Sequence, residues 1–415
     1  MACSLETKFI LLTREMDLEP DEPSAVPEPP RPLGGWPIFY AAARGKRIPL
    51  LKVLQSSFCE RNCFYCPFRS GRDFPRAALR PKELAQAALA LHRRGVIQGV
   101  FVSSGITGGS LATQDRLLDT LRSLRDLRFP GYTHLKLMPG ADREQVAQAV
   151  ALAHRVSVNL EAPNARFLSR LAPQKWYWKE LLQTLRYAAE ARRERLQKGL
   201  PAASITTQFV VGPAGETDRD LLQVTQQLVR EMDVQRVYYS PFRPVPQTPL
   251  EDRAPESPLR VHRLYQAFFL LRDYGFSWEE LPLDARGNLP REVDPKVAWA
   301  QQHLAHAPVE VNTAEPRELL RVPGIGPQTM RRILKARRER RLKDLRQLQA
   351  LGVNVRRAAP FVLLDGKRPP VQPSLPLEGA ACHTLYAPSS PRAAGEGVWP
   401  GAFRCAMVAS TAPMK

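Results

Sequence analysis

Cys59-Glu60-Arg61-Asn62-Cys63-Phe64-Tyr65-Cys66 gathers three of the chain's six cysteines into eight residues. In a chain of 415 residues so few cysteines make no disulfide framework, so the clustering points to metal. Three thiolates on one loop can hold three corners of a 4Fe-4S cube, whereas structural zinc or a closed cluster normally takes four protein ligands. The absent fourth thiol would leave one iron open to a ligand that is not protein. A zinc site of three Cys and one His is the alternative; none of the seven histidines lies within 25 residues of Cys66. Cys3, Cys382 and Cys405 are scattered through the Pro-rich ends and form no second group for an auxiliary iron-sulfur centre.

Outward from this loop, short apolar runs alternate with amphipathic stretches, the pattern of parallel βα units. The expected strands are Ile48–Gln55, Gly99–Ser103, His134–Leu137, Val156–Leu160, Ile205–Val211 and Arg236–Ser240. The expected helices are Pro81–Arg94, Thr113–Leu127, Arg143–Ala153, Trp176–Leu196, Thr217–Met232 and Leu259–Tyr274. Six strands with six helices make an α/β fold, a partial (βα)6 barrel over residues 40–290, two units short of a full eight-fold barrel. In such folds ligands sit at the C-terminal ends of the strands, where the cysteine loop falls. Prolines crowd residues 1–39 and 369–415, which are expected to be disordered, and 291–308 reads as a linker.

The Cys-x3-Cys-x2-Cys spacing with Tyr65 before its last cysteine, after the first strand of a six-unit barrel, resembles the radical SAM superfamily. The resemblance implies a 4Fe-4S cluster on Cys59, Cys63 and Cys66, S-adenosylmethionine (SAM) on the open iron, and cleavage of SAM to a 5'-deoxyadenosyl radical. It also implies a reductant such as flavodoxin or ferredoxin. Ser103, Ser104 and Gly105 stand where the family often carries Gly-Gly-Glu, here without the carboxylate. Asn159 and Glu161 close the fourth strand, where they would reach the SAM ribose. Gly212 and Gly215, in Val211-Gly212-Pro213-Ala214-Gly215-Glu216-Thr217, resemble the family's adenine-side turn; Thr217 can cap the next helix.

Lys and Arg number 60 against 41 Asp and Glu, a net +19 that favours a polyanionic partner. Residues 309–368 hold fifteen basic and six acidic residues, a net +9, and read as a separate small all-α domain. There Val322-Pro323-Gly324-Ile325-Gly326-Pro327 joins helix Pro316–Arg321 to helix Gln328–Arg340. Its two glycines permit positive φ, and backbone N–H groups at a helix N-terminus suit a phosphate. The segment resembles the helix-hairpin-helix module, with Gly324, Ile325, Gly326, Arg331, Arg332 and Lys335 as the implied nucleic-acid contacts. A second, degenerate copy follows helix Lys343–Ala350, in Leu351-Gly352-Val353-Asn354, with αL tolerable at Asn354. Tyr238-Tyr239-Ser240-Pro241-Phe242-Arg243-Pro244, and Trp176-Tyr177-Trp178 preceded by Leu171-Ala172-Pro173-Gln174-Lys175, set aromatic beside basic residues, as nucleobase stacking or a helix-start core would.

Barrel and tail together resemble one radical SAM subfamily, the DNA modification or repair proteins linked with uracil-DNA-glycosylase-like partners. That implies an enzyme acting on DNA, with a uracil-DNA-glycosylase-like protein among its partners, and leaves the catalytic residue that meets substrate unknown. The alternatives are a radical SAM enzyme modifying RNA and a non-enzymatic iron-sulfur DNA-binding protein. No window approaches the roughly 20 apolar residues of a membrane span, and Phe9-Ile10-Leu11-Leu12 is too short for a signal-peptide core. A soluble, cytoplasmic protein is expected.

Overall fold

Gly99–Ser103, GVFVS in sequence, is buried at every position, as a parallel strand covered on both faces should be. It belongs to a computed structural model that describes residues 5–13, 32–33, 36–43 and 46–370. The elements run α1 (Leu5–Thr13), β1 (Pro32–Leu33), β2 (Trp36–Ala43), β3 (Lys46–Leu54), α2 (Pro81–Arg93), β4 (Gly99–Ser103), α3 (Gly109–Asp126), β5 (Tyr132–Lys136), α4 (Arg143–Leu152), β6 (Arg155–Glu161) and α5 (Ala165–Leu168). A π-helical turn, Tyr177–Leu182, leads into α6 (Gln183–Gln197), followed by β7 (Ser204–Val211), α7 (Asp218–Glu231), β8 (Val234–Pro241) and α8 (Pro258–Asp273). The remainder is α9 (Pro295–His303), β9 (Val309–Glu310), α10 (Pro316–Arg321), α11 (Pro327–Glu339), α12 (Leu345–Ala350), α13 (Val355–Ala358) and β10 (Val362–Leu363).

The main sheet keeps sequence order from β1 to β8. β1, β2 and β3 pair antiparallel, and β3 to β8 run parallel in a curled, open partial barrel. All six expected strands are present, each within two residues of its expected ends. The helices cover the outside because their apolar residues recur on one face: Leu84, Ala85, Ala88 and Leu91 of α2 are buried. Thr217 does cap α7, accepting from the Asp220 N–H while Asp220 accepts from the Thr217 N–H.

Three expectations for the chain's flanks are corrected. Residues 1–39 are not wholly disordered: α1 buries Phe9 and Leu12, and β1 with the start of β2 extends the sheet. Residues 14–31 and the expected tail from 371 to 415 lie outside the described residues, as do Cys3, Cys382 and Cys405. The 291–308 linker contains α9, whose Trp299 packs against both the barrel core and a second apolar cluster built by residues 300–364. That second cluster is not all-α, because β9 and β10 pair in parallel across it.

The tail's two turns also depart in detail from expectation. Gly324 takes φ +85, and a Cβ there would lie 2.4 Å from the Asn354 carbonyl oxygen, so the two turns are packed against each other. Gly326 is extended, at φ −110, and is confined by space instead: its Cβ would stand 3.3 Å from the Tyr274 hydroxyl. In the second turn Gly352 takes the left-handed position, at φ +90, while Asn354 at φ −76 caps α13. The Ile325 and Gly326 N–H groups are engaged internally, by the Val322 carbonyl and the Thr329 hydroxyl.

Arg321 and Lys296 lie where the tail meets the barrel. Arg321 lies 3.6 Å over the Phe276 ring and donates to Glu280 and to the Gly275 carbonyl. Lys296 donates to the Ile325 carbonyl at 2.6 Å and sits over the Tyr274 ring. Burial draws the Lys296 ammonium down to about 7 against the pull of Asp294, with Arg357 and Arg321 assisting the fall. A lysine in the unfolded chain titrates near 10.4, so between these values the unfolded state binds more protons and stability rises with pH. The Lys296 contribution is therefore fullest above about pH 10 and is lost as pH falls to about 7. Thermal unfolding should show a midpoint that climbs from pH 7 to 10 more in the wild type than in Lys296→Met; parallel curves would reject this account.

Candidate active site

The cysteine loop leaves β3 and is held by contacts from four directions. The Arg76 guanidinium donates to the carbonyls of Ser57, Phe68, Arg69 and Arg72, knotting the loop's two ends. Glu60 accepts from the Gly108 and Gly109 N–H groups at the start of α3. The Phe64 N–H donates to the Leu171 carbonyl at 2.7 Å, and Arg61 bridges to the Gln174 carbonyl and to Glu180. Behind it runs the loop after β4, whose Gly105 N–H donates to the Ser56 carbonyl. A Cβ on Gly105 would stand 2.1 Å from the Phe58 carbonyl oxygen, so only glycine permits this approach.

These loops surround a cavity at the C-terminal ends of the parallel strands. Cys59, Cys63, Cys66, Tyr65, Ser103, Ser104, Gly105, Asn159 and Glu161 all line it. Gly212 and Gly215 do not. The Gly212 N–H donates to the buried Glu216 carboxylate, a Cβ on Gly212 would strike Glu256, and Arg170 donates to the Ala214 carbonyl, so this turn is filled by the protein's own groups. Of the aromatic segment at the end of β8, Tyr238 and Tyr239 are core, while Ser240, Pro241, Phe242 and Arg243 line the cavity. In the other aromatic segment Tyr177 is buried, whereas Trp176 and Trp178 are 60% and 61% exposed.

Glu161 owes its position to a β-bulge. The β6–β7 register shifts between Asn159 and Glu161, and Glu161 takes φ +64. Its Oε1 accepts from Lys175 at 2.9 Å with both side chains buried, and its Oε2 is buried without a hydrogen-bond partner. Lys175, which the sequence offers only as a basic neighbour of the aromatic segment, lines the same cavity. Burial alone would lower the Lys175 ammonium, but the negative charge of a Cys63 thiolate and of Glu161 outweighs it and holds the cation. Burial pushes the Cys63 and Cys66 thiols up, with Lys175 opposing. Burial also raises the Tyr65 phenol, and the adjacent Glu161 raises it further.

Among the described residues no three His, Cys, Asp or Glu side chains converge closely enough to hold one metal ion. Zinc would need its sulfurs at about 2.3 Å from a shared centre. A cube presents a separate iron to each thiolate, so thiols set apart around a cavity fit it. The donor set also suits a ligand beside the cube that carries hydroxyl or ammonium donors, because the open Glu161 oxygen lacks one.

Residues 53–228 match the model of the Radical SAM superfamily. Two curated relatives are tRNA-2-methylthio-N(6)-dimethylallyladenosine synthases. The one from Halalkalibacterium halodurans is 25% identical over 209 residues, 48% of this chain and 36% of the relative. The one from Cutibacterium acnes is 27% identical over 237 residues, 54% of this chain and 44% of the relative. The chain thus spans less than half the length of either. Similar solved structures include methylornithine synthase (TM-score 0.43, 15% identity, 55% of this chain and 64% of that one). Another is the FeFe-hydrogenase maturase HydG from Carboxydothermus hydrogenoformans (TM-score 0.42, 15% identity, 54% of this chain and 51% of that one). The cofactors of the radical SAM family are a 4Fe-4S cluster and S-adenosylmethionine.

Gly105→Ala forces the loop after β4 against the Phe58 carbonyl, and Arg76→Met releases four carbonyls at once. Both should fold, by circular dichroism, yet retain well under half the iron and 400-nm absorbance of the wild type after anaerobic reconstitution. Full iron in both would show that the loop's packing does not govern cluster assembly.

Proposed function

We propose that this chain, whose residues 53–228 match the Radical SAM superfamily, is a radical SAM enzyme that modifies a nucleic acid. One observation carries the reading: three thiols, a buried lysine and a carboxylate with one unpartnered oxygen surround a single cavity. Cys59, Cys63 and Cys66 would hold the cluster. When bound, the two cofactors supply an electron and the 5'-deoxyadenosyl radical that it releases from S-adenosylmethionine. Lys175 offers positive charge beside the thiolates, and Glu161 an acceptor for a ribose hydroxyl or an amine. The buried walls, Leu54, Leu137, Met138 and Phe242 among them, exclude water that would otherwise quench a reactive species. A hydrogen atom would leave the target nucleotide and end on 5'-deoxyadenosine.

Nucleic acid as substrate rests on the tail. Arg331, Arg332 and Lys335 of α11 are exposed, Arg332 also donating to the Leu351 carbonyl, whereas Arg337 is drawn inward by the Val311 and Ala314 carbonyls. The paired turns at Gly324 and Gly352 support a helix-hairpin-helix reading and, with it, DNA. The names of the curated relatives favour RNA as the second reading, because those proteins act on tRNA. A uracil-DNA-glycosylase-like partner draws no support from them. No helix among the described residues is long and apolar enough to cross a membrane.

Reconstituted, dithionite-reduced protein should convert SAM to 5'-deoxyadenosine, and Cys63→Ala should not. Failure of the iron-loaded wild type to cleave SAM with DNA, RNA or neither would remove the enzymatic reading.

If the tail grips phosphates, affinity for either polymer falls steeply with salt, because each neutralised phosphate releases counterion. Arg331→Ala with Arg332→Ala should lower the slope of log Kd against log salt by about one to two units. An unchanged slope would place phosphate recognition elsewhere.

A further inference from the structure

Trp176 and Trp178 are the most exposed large apolar side chains among the described residues, in the segment that follows the cavity-lining Lys175. Lys175 precedes them and lines the cavity. Glu180 ties Trp176 to the rim: one oxygen accepts from the Trp176 N–H at 2.8 Å, the other from Arg61, which also lines the cavity. From the opposite side the Glu180 carbonyl accepts from the Gly140 N–H, next to the cavity-lining Pro139.

Both indoles are held in place although both face solvent. Tyr177 between them is buried and donates its hydroxyl to the Pro163 carbonyl at 2.8 Å. Trp178 packs edge-on against the Tyr177 ring, with centroids 5.2 Å apart at 86°. The Lys179 ammonium lies 5.0 Å over the Trp176 ring. The segment is wound as a π-helical turn, a departure from the α-helix common at functional sites. Rings fixed by their neighbours lose little entropy when another ring stacks on them.

We propose that Trp176 and Trp178 form a stacking platform for unpaired nucleobases, which leads a single strand into the cavity. This rests on the nucleic-acid reading above. The chemistry matches: indoles offer sequence-tolerant stacking faces, and Lys179 and the exposed Arg243 at the cavity mouth supply charge for the adjoining phosphates. A duplex with every base paired hides those faces and gains nothing from the platform.

The test uses the full chain with its cluster reconstituted. Fluorescence anisotropy measures Kd for a labelled oligonucleotide, single-stranded and as a duplex, in DNA and RNA. Trp176→Ala and Trp178→Ala should each weaken single-strand binding by about fivefold to about a hundredfold. They should change duplex binding by less than about twofold and leave the salt slope unaltered, since no charge is removed. Trp176→Phe should recover most of the affinity, and iron content equal to the wild type will show that the fold survives. Equal single-strand Kd values in the wild type and the double variant overturn the platform while leaving the nucleic-acid reading intact. So does a loss that is equal for single strand and duplex. No binding of any polymer by the wild type overturns both.

Discussion

The ion pair between Lys175 and Glu161 governs how the cavity is built. Both side chains are buried, at 2.9 Å, and they join the end of β6 to the segment that carries the cysteine loop's outer contacts. Two desolvated charges are costly to bury, and removing one partner of such a pair typically costs about 3–5 kcal/mol. The bulge that turns Glu161 inward, with its left-handed φ, adds strain that a strand end alone does not need. A fold that needed only stability would do as well with apolar residues here. The arrangement makes sense when a cation is wanted beside two thiolates and a carboxylate oxygen is wanted free.

That constraint explains why the loops are so tightly stitched. Thiols raised by burial do not by themselves become good ligands; the Lys175 ammonium opposes the desolvation of Cys63, and at Cys66 the Phe68 backbone N–H opposes it ahead of the lysine. The offset works only if loop and lysine keep their separation. Arg76 fixes one side by gathering four carbonyls, and the Phe64–Leu171 and Arg61–Gln174 bonds fix the other. Gly105 lets the loop after β4 close the back.

The barrel could be read from sequence because parallel strands and their covering helices leave two distinct periods, and because three cysteines in eight residues have few chemical explanations. Lys175 could not be. It lies 14 residues after Glu161, in a loop with no period, and only the bulge brings the two together. Proline density hides α1, although Phe9 and Leu12 share one helical face, and α9 reads as a linker because the contacts of Trp299 are to distant residues. Gly212 and Gly215 lie outside the cavity lining for a related reason: a glycine turn after a strand looks the same in sequence whether it clears space for a ligand or for Glu256. Among the aromatic residues sequence gave composition without burial, so only the structure separates the buried Tyr177 from its exposed neighbours.

Helix α8 sets the distance over which barrel and tail would have to cooperate. At its N-terminal end the Glu256 N–H donates to the carbonyl of Phe242, a cavity residue. At its C-terminal end Tyr274 meets Gly326 and Lys296 of the tail. The 16 residues of α8 between them span about 24 Å at 1.5 Å each. A nucleic acid gripped at the hairpins and worked on in the cavity would therefore cross a gap of about seven base pairs, at 3.4 Å of rise per pair. A mononucleotide cannot bridge that gap, so if the tail contributes to substrate binding, it does so only for a polymer, and its basic surface selects for length before the cavity selects for chemistry.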